Sequence, residues 1–269
     1  MNYLTEYPGI IHFEKKDHIA ILTLDDPKTL NALSLDILGS LNVLFDAMAE
    51  DDDILGVIIT GAGRSFIAGA NLKNGRVTDP SKITSVERRE ELFYIHNTLN
   101  KIAEFPRPVI AAINGFALGG GAELSLCCDF RFASTKAKIG FPEVKLGGMP
   151  GYTGPSRAIR ILGVTAAKEM IYTAKNYTAE EAKELGFVSR VVEPEELLPA
   201  CEEFMGTIVS RAPLAVKYSK IMCNRSQEMS LQSSVEVERL ITGILGSTAD
   251  WGEGMKAFAE KRTPVFQNK

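Results

Sequence analysis

Short, mostly apolar segments recur along the first half of the chain, and each is bounded by polar or glycine-containing turns. Near-continuous apolar character is typical of strands that are covered on both faces. We predict four such strands, over residues 18–24, 54–60, 109–113 and 129–133. The apolar pattern therefore predicts a sheet buried inside the molecule.

Segments with helical spacing lie between these strands. After a predicted N-cap at Ser34, apolar residues recur at intervals of three and four: Ile37, Leu38, Leu41, Leu44, Phe45 and Met48. A long helix is predicted over 85–105, and a further helix starts within "GGGAELSL". The alternation of strands and helices predicts an α/β fold with crossover connections.

The second half of the chain is more helical. A helix is predicted over 165–174, and Thr178 with Glu181 has the spacing of a capping box. After a short strand in "FVSRVVEP" the pattern is helical to the end. A chain of 269 residues is long for one core. We therefore predict a main unit over 1–194 and a helical region over 195–269.

Composition and charge argue against several classes of function. The net charge of −4 argues against general nucleic-acid binding. The sequence contains no apolar run of about 18 residues, so no membrane span is predicted. The charged N-terminal segment lacks the apolar core of a signal peptide, so a cytoplasmic protein is expected. The four cysteines and three histidines do not form a metal-ligand pattern, and the histidines are expected to be structural or exposed.

A glycine pair after the second strand invites a dinucleotide-binding interpretation. Gly61 and Gly63 have the first spacing of that pattern, but Phe66 stands where the third glycine belongs. No helix is predicted to begin there. A Rossmann site and a phosphate-binding P-loop are both disfavoured.

Three consecutive glycines, Gly119 to Gly121, precede the buried-looking helix that carries Glu123. Free backbone N–H groups at a helix start favour developing negative charge, as in half of an oxyanion hole. An acidic residue in a first turn often only complements the helix dipole. Because the neighbours of Glu123 are apolar, it is alternatively a buried carboxylate with a chemical role.

Two other segments are candidates for ligand contact. The small residues of "AGANLK", from Ala68 to Lys73, permit close approach of a ligand to the backbone, although taken alone they favour a simple loop. Glu143 precedes a long loop rich in glycine and proline. Two carboxylates near one oxyanion site could transfer a proton to and from water, but sequence spacing does not show that Glu123 and Glu143 meet.

The ordered set of segments resembles the crotonase family, the enoyl-CoA hydratase/isomerase superfamily. The matching segments run from about His18 to Arg262: "PKTLNALS", "TGAGRSFIAGANLK", "RPVIAAINGFALGGGAELSLCCDFRFAS", "IGFPEVKLGGMPG" and "GEGMKAFAEKR". The resemblance implies a crotonase-like spiral of repeated ββα units, followed by a C-terminal helical region that drives trimerisation. It also implies a homotrimer or a dimer of trimers, and a coenzyme A thioester as substrate.

The resemblance implies a role for four residues in adding water to a 2-enoyl-CoA. The N–H groups of Ala70 and Gly120 would bind the thioester oxygen. Glu123 would orient and help to deprotonate the water, and Glu143 would exchange the proton at the α-carbon. The product is a 3-hydroxyacyl-CoA, the reaction is reversible, and neither a metal nor a redox cofactor is implied.

The resemblance also implies contacts with coenzyme A. The residues expected to contribute are Lys28, Leu30, Ala68, Ala70, Asn71, Leu72 and Lys73, together with Phe258 and Lys261 from a neighbouring subunit. Pro150 and Tyr152 are expected at the acyl pocket.

The chain departs from the family pattern in two places. Asn71 replaces the usual aspartate, and the usual Gly-x-Gly-Gly-Thr-Gln-Arg reads Gly-Tyr-Thr-Gly-Pro-Ser-Arg over 151–157. These changes leave open another crotonase-type reaction: isomerisation, or hydration or hydrolysis of a branched or cyclic acyl-CoA. A non-catalytic acyl-CoA-binding protein and an RNA-binding relative are the alternatives of another class.

Overall fold

Two sheets organise the computed structural model, which describes residues 10–71 and 83–269. The larger sheet has six strands in the order β1-β2-β3-β5-β7-β10. Its strands are β1 (Ile11–Lys16), β2 (Ile19–Leu24), β3 (Gly56–Gly61), β5 (Val109–Ile113), β7 (Phe130–Ser134) and β10 (Arg190–Val192). Only β1, which is not among the predicted strands, runs antiparallel to its neighbour.

The smaller sheet has the strand order β4-β6-β8-β9. Its strands are β4 (Ser65–Ile67), β6 (Phe116–Leu118), β8 (Lys138–Gly140) and β9 (Tyr177–Thr178). Each of β3, β5 and β7 is followed within a few residues by a strand of this sheet. The chain thus forms the predicted spiral of ββα units, with β4, β6 and β8 in parallel register.

Ten α-helices are present among the described residues. They are α1 (Leu35–Ala49), α2 (Ser85–Glu104), α3 (Gly120–Ser125), α4 (Gly154–Leu162), α5 (Val164–Thr173), α6 (Ala179–Glu184), α7 (Leu197–Val209), α8 (Pro213–Ser226), α9 (Leu231–Leu245) and α10 (Ala249–Glu260). Short 3-10 helices cover Pro142–Leu146 and Pro194–Glu196. None of these helices is long and apolar enough to cross a membrane.

Local sequence signals account for the helix starts. The Ser34 side chain accepts a hydrogen bond from the N–H of Ile37, which confirms the predicted cap of α1. Thr178 and Glu181 form the predicted capping box of α6, and Thr84 with Glu87 forms a second one at α2. Side chains in these positions satisfy N–H groups that have no partner inside the helix.

The six-stranded sheet is covered on both faces, as its apolar strands predict. In β5, Val109, Ala111 and Ile113 face the main core, which lies between the sheets and helices. Ile110 and Ala112 face the other side, where Cys201 and Met205 of α7 cover them. The first helix of the predicted C-terminal region therefore packs directly on the main sheet.

A buried ion pair joins the next helix to the core. Lys220 of α8 donates hydrogen bonds to the Asp129 carboxylate at 2.7 Å and to the Arg107 carbonyl at 3.1 Å. The same carboxylate oxygen accepts from the N–H of Val109 at 2.7 Å. These bonds compensate for burying both charges. The division at residue 194 remains our proposal for the domain organisation.

Candidate active site

The loop before Ala70 is tied to the chain before α1. Leu33 donates to the Gly69 carbonyl and accepts from the N–H of Asn71, each at 2.8 Å. Leu33 thus forms a parallel bridge with Ala70, which lies between Gly69 and Asn71. In this pattern the N–H of Ala70 points away from Leu33. These backbone bonds hold this part of the loop.

The start of α3 supplies a second exposed N–H group beside this loop. Gly119 precedes the helix with φ 49°, and a methyl group on it would lie 3.9 Å from the Cα of Gly69. The N–H of Gly120, in the first turn, has no acceptor inside the helix. Among the described residues, neither Ala70 nor Gly120 donates its N–H to a protein group.

Glu123 is buried in α3 and is held by two backbone donors from another segment. Its Oε1 accepts hydrogen bonds from the N–H groups of Tyr152 at 2.7 Å and Gly154 at 2.8 Å. Any side chain on Gly154 would collide with this carboxylate, because a Cβ there would lie 2.7 Å from Oε1. Both bonds end on one oxygen, which leaves Oε2 available for a proton.

Burial dominates the electrostatics of this carboxyl. It raises the pKa of Glu123 to about 8, against the opposing effect of the two N–H donors. The charge of Glu143 raises that pKa further. Glu123 is therefore mostly protonated at neutral pH.

Glu143 reaches the same place from the 3-10 helix that follows β8. Its Oε1 would be only 2.5 Å from a methyl group on Gly119, so a side chain there would displace this carboxylate. Its Oε2 is buried and has no hydrogen-bond partner in the described structure. Burial raises the pKa of Glu143 as well. The structure thus brings together the two carboxyls that sequence spacing left apart.

The turn that binds Glu123 carries the chain's unusual residues. A methyl group on Gly120 would lie 3.2 Å from Cδ2 of Tyr152, so this ring is next to the predicted oxyanion donor. Pro150 is buried before it. Pro155 falls in the first turn of α4, where its missing N–H is not needed. The substitution at 155 is compatible with the helix.

Thr153 adopts a left-handed conformation, φ 77° and ψ 6°, between the two N–H donors to Glu123. For a β-branched residue this geometry is strained by about 1–2 kcal/mol. The sequence alone shows the change at 153 but not this strain. Arg157 supports the turn by donating to Thr153 Oγ1 at 3.0 Å.

The strain at Thr153 should be measurable as a difference in stability between two variants. Thr153→Gly and Thr153→Ala both lose the hydroxyl, but only glycine relieves the left-handed conformation. We expect Thr153→Gly to be more stable than Thr153→Ala by about 1 kcal/mol. Urea unfolding measures this difference, and equal stabilities would show that Thr153 is not strained.

The predicted coenzyme A contacts fall into three groups. Leu30 and Ala68 are neighbours, since Ala68 donates its N–H to the Leu30 carbonyl at 3.2 Å, and Lys28 is exposed close by in sequence. Leu72 and Lys73 lie outside the described residues. Phe258 and Lys261, at the end of α10, are exposed. Their expected role concerns a neighbouring subunit and stays a prediction.

Metal-ligating groups are not clustered in the described parts of the chain. No set of three His, Cys, Asp or Glu side chains is arranged to hold a metal ion there. Cys127, one turn after Glu123, is buried, and burial raises the pKa of its thiol to about 11. That thiol is neutral at physiological pH.

The fold places the chain among the crotonase-type α/β proteins. A solved enoyl-CoA hydratase from Bacillus anthracis superposes with a TM-score of 0.91 at 36% identity, covering 97% of this chain and 100% of that one. One from Geobacillus kaustophilus gives 0.90 at 34% identity, with 98% and 100% coverage.

Sequence comparison gives the family. The enoyl-CoA hydratase/isomerase model matches residues 14–269, and the chain belongs to this family. A short-chain-enoyl-CoA hydratase of Clostridium acetobutylicum is 40% identical, covering 93% of this chain and 94% of that protein. A crotonyl-CoA hydratase of Syntrophomonas wolfei is also 40% identical, with 98% and 99% coverage.

Proposed function

We propose that this protein is an enoyl-CoA hydratase that reversibly adds water to a short-chain 2-enoyl-CoA. The observation that carries the proposal is the buried Glu123 carboxyl with the half-buried Glu143 beside it, next to two N–H groups that donate to no described residue. In particular, Glu143 Oε1 lies next to Gly119, and its Oε2 is buried with no hydrogen-bond partner among the described residues. A buried polar atom of this kind is explained by a substrate or water that completes its hydrogen bonding.

The N–H groups of Ala70 and Gly120 would bind the thioester oxygen. When water adds to the β-carbon, negative charge develops on that oxygen as the thioester becomes enolate-like. Donors fixed in a folded backbone stabilise this charge more than they stabilise the neutral substrate, so they accelerate the reaction. Metal and redox cofactors have no part in this proposal, since coenzyme A belongs to the substrate.

The carboxyl pair would carry one proton between them. For dehydration, protonated Glu123 gives its proton to the leaving hydroxyl, and ionised Glu143 removes the proton at the α-carbon. For hydration the two exchange roles: Glu123 takes a proton from water while Glu143 protonates the α-carbon. The raised pKa of Glu123, increased further by the charge of Glu143, favours the singly protonated pair at neutral pH.

This proton count predicts the pH dependence of kcat/KM. Above about pH 8 Glu123 loses its proton, so the singly protonated pair disappears and kcat/KM should fall. At low pH both carboxyls are protonated, and activity should fall again. The equilibrium constant of hydration does not depend on pH, so both directions must give the same bell-shaped profile. A profile still rising above pH 9 would contradict this assignment.

The substrate class is tested by a series of 2-enoyl-CoAs with increasing chain length. The names of the two relatives described above refer to short-chain enoyl-CoA and to crotonyl-CoA. Tyr152 crowds the side of Gly120, which favours a short acyl chain. We expect loss of the conjugated-enoyl absorbance to be fastest with crotonyl-CoA. Absence of turnover with every member of the series would overturn the proposed function.

The assembly is proposed on the family resemblance and on exposed apolar residues. Trp251, Met255 and Phe258 of α10 are large, apolar and exposed in the single chain. A homotrimer, or a dimer of trimers, would cover such residues and bring Phe258 and Lys261 to the coenzyme A of a neighbour. Light scattering tests the oligomeric state. We also propose a cytoplasmic location.

A further inference from the structure

We propose that His96 is a positioning residue for Glu123, acting through the peptide group between Gly151 and Tyr152. His96 lies on α2, between the buried residues Ile95 and Leu99. Its Nε2 is 2.7 Å from the Gly151 carbonyl oxygen. Because a carbonyl oxygen only accepts, Nε2 carries the hydrogen and donates it.

One peptide group connects this histidine to the carboxyl. The carbonyl of Gly151 and the N–H of Tyr152 belong to the same planar unit. His96 donates to its oxygen at 2.7 Å, and its N–H donates to Glu123 Oε1, also at 2.7 Å. Donation to the oxygen polarises the peptide and makes its N–H a better donor. The histidine therefore both orients and strengthens a bond to Glu123.

A second contact from the same face of α2 holds the other half of the turn. Asn100, one helical turn after His96, accepts from Arg157 at 2.6 Å. Arg157 in turn donates to Thr153, the strained residue between the two donors to Glu123. A strained turn persists only when its surroundings hold it in place. In this turn, α2 provides that support at both ends.

The expected consequence of losing His96 is a change at Glu123. Without the donor, the Gly151–Tyr152 peptide is free to rotate, and its N–H bond to the carboxyl weakens. Because that bond lowers the pKa of Glu123, its weakening raises that pKa further. The other titratable groups that face the carboxyl are Glu143, Tyr152 and Cys127, and a substitution at His96 alters none of these side chains chemically.

The test compares three substitutions at this position with a neighbouring control. His96→Ala and His96→Leu remove the donor, and His96→Gln restores an N–H of similar reach. Asn97→Ala alters an exposed residue of α2 and serves as the control. We expect the Ala and Leu variants to lose about 10- to 100-fold in kcat with KM changed less than threefold. The falling limb of kcat/KM should move to higher pH, and His96→Gln should recover most of the loss.

A measurement without turnover separates this inference from the proposed function, on which its kinetic part rests. Infrared titration follows protonation of the Glu123 carboxyl in each variant. The carboxyl band is assigned to Glu123 because it is absent from the spectrum of Glu123→Gln. An upward shift of its pKa in His96→Leu and not in His96→Gln supports the role, even if no enoyl-CoA is turned over. If His96→Ala does not fold, the Leu and Gln variants decide. Equal kcat and equal Glu123 titration in those two would overturn the proposal.

Discussion

Glu123→Gln is expected to hydrate crotonyl-CoA about a thousandfold more slowly than the wild type, with a nearly unchanged KM. The glutamine oxygen can still accept from Tyr152 and Gly154, so the position of the side chain is kept. The amide cannot take or give the proton, and general acid–base catalysis contributes about 10²- to 10⁴-fold. Steady-state kinetics measures the loss. Glu90→Gln, at an exposed position of α2, makes the same chemical change as a control and should keep full activity.

The same substitution should stabilise the fold at higher pH. The pKa of Glu123 is raised from 4.5 to about 8 by folding, so the wild type loses stability as pH rises across that interval. The glutamine variant has no such dependence. Between pH 5.5 and 8 its advantage should grow by on the order of 3 kcal/mol. Thermal unfolding at several pH values measures this gap. A gap independent of pH would contradict the raised pKa.

Glu143→Gln is expected to reduce kcat by about 10²- to 10⁴-fold. Glu143 would exchange the α-carbon proton, and an amide cannot do so. Incorporation of deuterium from heavy water at that carbon should slow in parallel with hydration. Glu14→Gln, on the exposed side of β1, is a suitable control.

The double variant tests whether the carboxyls work as one unit. Groups that share a proton transfer are grossly non-additive, so Glu123→Gln with Glu143→Gln should be only slightly slower than the worse single variant. A double variant whose loss equals the product of the two single losses would mean that the carboxyls act independently.

Much of the larger sheet could be predicted from the sequence because burial on both faces produces a recognisable signal. Ile58 and Ile110 face α7 while their neighbours face the main core, so β3 and β5 are apolar throughout. Edge strand β1 is polar on its exposed face, so it has no continuous apolar pattern and cannot be distinguished from the charged segment around it. The capping boxes are local, and the one at Thr178 was predicted correctly.

The smaller sheet could not be predicted, because β4, β6 and β8 have three residues each, too few for a periodic pattern. This sheet sets the distance between the carboxyls. Gly119, before the helix of Glu123, donates its N–H to the carbonyl of Gly140 at 2.9 Å, just before the turn of Glu143. Pairing between β6 and β8 thus brings the two acids together, which no sequence spacing reveals.

The relation between His96 and Glu123 could not be predicted from the sequence either. The partner of His96 is a backbone carbonyl in a loop 55 residues later, and a backbone partner leaves no pattern of side chains. From the sequence alone, a structural or exposed histidine is therefore expected. The roles of Ala70 and Gly120 came from the family resemblance, to which the structure adds two N–H groups, on adjacent segments, that donate to no described residue.

The most direct test of the proposed hydration is the product mass from crotonyl-CoA incubated with the wild type in ¹⁸O-labelled water. Hydration predicts a 3-hydroxybutyryl-CoA that carries one ¹⁸O atom, formed far more slowly by Glu123→Gln. A product of unchanged mass, as isomerisation would give, or a free acid released by thioester hydrolysis, would contradict the account.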